Sequence, residues 1–201
     1  MTDYRWKTAE ADRALPAPPP PLLKEWQVFV SWSGAVTVGL TAGMFLYAIT
    51  EELLIGAGAM GLLIGWMQML VLTLQRARVG WLWVVNTTLA FVTWGMALPF
   101  FREINLWAGL ALGVLGGLLQ WLSLRKHVEQ SLWWVAANIA AWMIGFSLYR
   151  PLTTLTGTWL ISIAVAGLLV GALLAVAIIW LLRFPVWTVK DETPLKDDYQ
   201  S

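Results

Sequence analysis

The chain has 201 residues, of which 59% are hydrophobic and only 12% charged, with a formal net charge of +1 and no cysteine. That charged share is about half the globular norm, and so small a net charge gives no basis for bulk attraction to nucleic acid. The missing cysteines exclude disulfides, thiol catalysis and thiolate metal sites.

Residues 1–27 read as a polar, proline-rich tail carrying Pro16-Ala17-Pro18-Pro19-Pro20-Pro21. Consecutive prolines keep the backbone extended and cannot continue a helix, so this is a stiff spacer or a docking strap. Residues 28–182 follow as a transmembrane domain and residues 183–201 as a second polar tail. The domain contains six stretches free of Asp, Glu, Lys and Arg: Val28–Ile49, Leu53–Leu74, Trp81–Phe101, Trp107–Leu124, Leu132–Tyr149 and Trp159–Leu182. They run 18 to 24 residues, enough to cross a hydrocarbon core of about 30 Å as helices. The first is expected to be a true span, since its 22 residues exceed the roughly 7 to 15 of a signal sequence. The fold class is therefore all-α, a polytopic integral membrane protein with six transmembrane helices.

The first two helices are joined by Thr50-Glu51-Glu52, so short a turn that they must pack as an antiparallel pair. The later helices are expected to end at Gln75-Arg76-Ala77-Arg78, Arg102-Glu103, Arg125-Lys126-His127, Arg150-Pro151 and Arg183. Eleven of the thirteen Lys and Arg lie in the two tails and the loops that share their side. Over short loops this bias predicts that both termini are cytoplasmic. Trp26, Trp32, Trp81, Trp83, Trp133, Trp134 and Trp187 are expected at that interface, with Trp107 and Trp159 at the other, as an aromatic belt.

One pattern occurs twice. Gly61-x3-Gly65-x2-Gln68, then Trp81 and Asn86, returns as Gly113-x3-Gly117-x2-Gln120, Trp133 and Asn138, shifted by 52 residues without a gap. A fixed period defines a building unit, here two parallel tandem αα-hairpin repeats (helices 2–3 and 4–5) with helices 1 and 6 completing the bundle. Helix 6 carries Gly167-x3-Gly171 but Leu174 where the amide would fall. It reads as a degenerate first half whose second half is helix 1, giving three pairs around one axis. Each glycine pair and its glutamine share one helix face, and glycines so spaced let backbones approach closely in lipid. Buried amides need partners, and matched depth predicts Gln68–Asn86 and Gln120–Asn138 hydrogen bonds.

On the face continuing from Asn86 lie Ala90, Thr93 and Ala97; from Asn138 the same face holds Trp142, Gly145 and Tyr149. With Trp66, Trp94 and Trp121, Trp142 puts four indoles within the apolar region. Trp66, Trp94, Trp121, Trp142 and Tyr149 are the candidate binding residues for a long conjugated or isoprenoid ligand such as a carotenoid, quinone or pigment tail. Ordinary packing or lipid contact is the alternative. His127, the single histidine, lies in a basic loop and reads as interfacial rather than as a metal ligand. Because a chlorin magnesium needs only one axial ligand, bacteriochlorophyll bound there or at a buried amide stays open. Glu51 and Glu52 read as solvated turn charges. The spans hold no acid or base besides Tyr47 and Tyr149, so no enzyme is expected. A transporter usually shows a charge or broken helix at mid-membrane; without one, only a neutral solute suits that class.

The tandem Gly-x3-Gly-x2-Gln…Trp…Asn hairpin, over about residues 58–147, resembles small repeat membrane proteins of cyanobacteria and green filamentous phototrophs. The whole chain, with basic loops, a proline strap and abundant Trp, also resembles the accessory carotenoid-binding subunit of reaction-centre–antenna complexes in those phototrophs. That resemblance implies a bacterial inner-membrane subunit holding carotenoid between tryptophan-lined helices, packed on an antenna or reaction centre and contacting lipid. A small-solute transporter or a pigment-free assembly factor is the alternative.

Overall fold

The computed structural model describes residues 21–77, 79–101 and 103–184. The prolines at 16–20, Arg78, Arg102, Trp187 and the tail beyond Phe184 lie outside the described residues, as does the spacer role expected of the first tail. Six helices follow one another: α1 (Glu25–Thr50), α2 (Leu53–Leu74), α3 (Trp81–Phe101), α4 (Leu106–Leu124), α5 (Leu132–Thr156) and α6 (Trp159–Leu181). All six are long and apolar enough to cross a membrane, and the molecule is a multi-pass helical bundle. Charge-free stretches and helices coincide because backbone groups in hydrocarbon must bond within their own segment.

One boundary differs from the sequence expectation. α5 does not stop at Arg150-Pro151 but continues through Pro151 to Thr156. Proline removes a single N–H, the one that would reach Ser147 O, and the helix carries on past it; hydroxyls of Thr153 and Thr154 donate to the carbonyls of Tyr149 and Arg150 at 2.9 and 3.2 Å. The helix ends only at Gly157, whose φ of 68° is the left-handed conformation glycine adopts freely.

Within the described residues each helix packs on its neighbours in the chain, and α6 returns to pack on α1, which closes a six-membered ring. Arg183, after α6, reaches Glu25 at the start of α1 at 2.8 Å. The two ends of the described chain thus emerge together, at the tail end of the bundle.

Close packing explains which pairs are tight. A methyl group added at Gly61 or Gly65 of α2 would lie 2.5 Å from Thr88 Cα or 3.0 Å from Val84 Cα of α3. At Gly113 and Gly117 of α4 it would meet Ile139 and Val135 of α5 at 2.6 and 2.9 Å. At Gly167 and Gly171 of α6 it would meet Thr37 and Ser33 of α1 at 3.1 and 2.7 Å. Three glycine-bearing helices therefore sit backbone to backbone on three partners, where dispersion and lipid release supply the attraction.

Candidate functional site

α1, α3 and α5 alternate around the ring, so side chains from all three meet only in its interior. Trp32, Trp83 and Trp134 do so. Their ring centroids stand 5.8 to 6.1 Å apart, and each indole is fully buried. In sequence they are separated by two steps of 51 residues. The edge-on Trp32 contacts match the ring quadrupoles, negative face to positive edge, and the trio closes the bundle interior near the tail end.

The indole nitrogens need acceptors. Trp83 Nε1 donates to Gln68 Oε1 at 3.2 Å and Trp134 Nε1 to Gln120 Oε1 at 3.0 Å. Gln120 Nε2 donates to Thr87 Oγ1 at 2.9 Å and comes within 3.5 Å of Gln68 Oε1, so the two amides meet across the interior. The third indole is treated differently. Trp32 Nε1 is buried without a partner, because α6 carries Leu174 three residues after Gly171, where α2 and α4 carry glutamine. Ser33 Oγ and Thr41 Oγ1 are likewise buried and unpartnered, so every such side-chain atom among the described residues belongs to α1.

The predicted Gln68–Asn86 and Gln120–Asn138 bonds do not form. Asn86 Nδ2 instead donates across the α3–α4 seam to Leu119 O at 2.7 Å and Ser123 Oγ at 3.0 Å. Asn138 Nδ2 donates to Trp134 O of its own helix at 3.0 Å. The cause is register. From glutamine to its indole partner is 15 residues in the first pair and 14 in the second, so an ungapped match aligns the wrong tryptophans. Trp81 and Trp133, which carry that match, point outward and are 66% and 63% exposed. Trp32, Trp83 and Trp134 accordingly leave the expected interfacial belt for the core. The signal that finds them is a tryptophan recurring at a step of 51 rather than 52.

Beyond this layer, away from the tail end, a second aromatic group fills the interior. Phe91 and Trp94 of α3 pack on Trp142 and Phe146 of α5, with centroid separations of 5.3 to 6.4 Å. Trp94 Nε1 also donates to Ala108 O of α4 at 2.9 Å. Of the five candidate ligand residues, Trp94 and Trp142 are thus brought together, both buried. Trp66 lies apart on the outer face of α2, half exposed. Trp121 is half-buried, its Nε1 donating to Ser131 Oγ at 3.1 Å with the Arg125 guanidinium 5.3 Å above its ring. Tyr149 packs at the edge of the core.

Outside the ring, an apolar groove of about 500 Å³ runs between α5 and α6 at the tail end, lined by Trp133, Ala136, Ala137, Ala177, Trp180 and Leu181. His127 sits half-buried in the loop above α4; burial, and then the charge of Lys126, hold its pKa below the ordinary value. Among the described residues no three His, Asp or Glu side chains converge as a metal site would require. Comparison of the chain with family models, curated proteins and solved structures gives no match.

Proposed function

We propose that this protein is a non-catalytic accessory subunit of a larger membrane complex, one that works through its lipid-facing surface. The observation that carries the reading is the use of the interior. Gln68, Gln120, Thr87, Trp83 and Trp134 bond to one another, and aromatic rings occupy the space on either side. Recognition is left to the outside, where Trp66, Trp81, Trp107 and Trp133 stand exposed. Flat exposed indoles suit a carotenoid or similar apolar pigment and the apolar helices of a partner. Among the five candidate residues, Trp66, Trp121 and Tyr149 are the accessible ones. The neutral-solute alternative would need a polar path; the interior amides face one another, and Asn86 is turned into a helix seam.

The same reading takes the bundle as three copies of one hairpin, α2–α3, α4–α5 and a third assembled from α6 and α1. Three equivalent glycine contacts support it, as do three indoles at equal steps. Basic loops and tails at one end favour a cytoplasmic tail end in a bacterial inner membrane. The test is purification from the native membrane in mild detergent. Polyene absorption and larger subunits that co-migrate with the chain are expected, with the absorption reduced by Trp66→Ala. A colourless chain that elutes alone would contradict the proposal.

A further inference from the structure

The groove between α5 and α6 has a chemistry of its own. Its lining is apolar, and two tryptophans, Trp133 on the first turn of α5 and Trp180 on the last of α6, flank it at the level where the helices leave the membrane. The loop before α5 closes over this end. Glu129 N–H donates to Phe184 O at 3.1 Å, and the Phe184 ring stacks edge-on against Trp180 at 5.3 Å. That contact ties the loop bearing Arg125 and Lys126 to the segment bearing Arg183.

Charge then separates one kind of occupant from another. Among the described residues the tail end presents five cations (Lys24, Arg76, Arg125, Lys126 and Arg183) against two carboxylates, Glu25 and Glu129. The described residues of the opposite end present Glu51, Glu52 and Glu103 against Arg150, and the sequence adds Arg102 to that loop. A wholly apolar pigment or a lipid of zero net charge gains little from this asymmetry, whereas a phosphate headgroup of net negative charge does. Each Lys or Arg near an anionic lipid contributes about 1 kcal/mol. Tryptophan beside such cations occupies the headgroup boundary, its ring among the chains and its N–H toward the phosphates. The volume, about 500 Å³, falls within the range of sites that hold small apolar ligands.

The geometry points to a binding site for an anionic phospholipid, with an acyl chain along Ala136, Ala137 and Ala177 between the two tryptophans and the phosphate at Lys126 and Arg183. This site is separate from Trp66, on α2, and stands whether or not a pigment binds there. Glu25 already pairs with Arg183, so the headgroup must compete with an exposed ion pair, of small worth in water.

Native mass spectrometry of the detergent-purified full chain, titrated with phosphatidylglycerol or with phosphatidylcholine, tests the assignment. Phosphatidylglycerol is expected to be retained about 25-fold more strongly, at about fivefold for each of the two cations, and Lys126→Ala with Arg183→Ala to bring the two lipids level. Ala177→Phe, which fills the groove, is expected to lower retention of both; Ala136→Phe serves the same end should the first variant fail to fold. Equal retention of the two lipids by the native chain would overturn the headgroup assignment. Retention untouched by a folded, groove-filled variant would overturn its location. A carotenoid or prenyl lipid that occupies the site in preference to phosphatidylglycerol would overturn the ligand class.

Discussion

The α2–α3 and α4–α5 pairs differ from the α6–α1 pair in one chemical respect. All three bury a tryptophan of the central trio and all three close on glycines. In the first two, a glutamine of the glycine helix accepts the indole N–H of its partner. In the third, Leu174 leaves Trp32 Nε1 without an acceptor, and Ser33 and Thr41 add two more unmet groups to the same helix. A buried donor with no partner costs about 1–3 kcal/mol, so the bundle carries its polar deficit on α1. The comparison teaches that close packing and one exposed ion pair, Arg183–Glu25, hold one pair, while packing and a buried amide–indole bond hold the other two.

The largest effect is expected where backbones touch. Gly113→Val would drive a side chain into Ile139 Cα and Asn138 O, 2.6 and 2.9 Å from where its Cβ would sit. The α4–α5 pair has no flexible side-chain end to yield, so the variant should lose its folded elution peak or melt far below the native chain. Removing an amide comes next. Gln120→Leu orphans Trp134 Nε1 and breaks the bond to Thr87 Oγ1, which should lower unfolding free energy by about 1–3 kcal/mol in a denaturant titration. Gln68→Leu should weaken the fold less, since its oxygen alone makes the bond to Trp83 and the longer approach to Gln120.

The opposite sign sharpens the comparison. Leu174→Gln offers Trp32 the acceptor its two counterparts have and should stabilise the bundle by about 1 kcal/mol, the usual net worth of a hydrogen bond. Unchanged or reduced stability would show that the α6–α1 pair is not built like the others. The smallest effect concerns His127. Its pKa is lowered in the fold from the ordinary 6.5, so the unfolded chain takes up the proton first. His127 therefore contributes no penalty above about 6.5, and stability falls as pH drops below that value toward the folded pKa. His127→Gln should flatten the melting temperature over that window.

The spans themselves were plain in the sequence. The charge-free stretches Leu53–Leu74 and Trp81–Phe101 coincide with α2 and α3, because a single charge in lipid is costly enough to mark every boundary. The glycine pairs likewise announced backbone contact, and each meets a partner helix. What pairs with the glutamines was not legible. Trp83 and Asn86 lie three residues apart at nearly the same depth, and depth cannot say which one turns inward. One residue fewer between Gln120 and its indole than between Gln68 and its own also shifts the true match away from the identical residues that a gapless comparison rewards. Pro151 misled because it looks like a stop, but it costs the helix only one N–H, and the helix runs on to Gly157, whose left-handed backbone ends it. Of the candidate residues, Trp94 and Trp142 read from sequence as open aromatic walls, whereas Phe91 and Phe146 cover them.

The proposed role at the lipid-facing surface makes one plain demand on reconstituted vesicles. Stopped-flow light scattering should give the same glycerol and urea permeability for vesicles with and without the protein. Permeability raised by the native chain and abolished by Gln68→Leu or Gln120→Leu in a folded variant would contradict the filled interior and return the amides to the lining of a path.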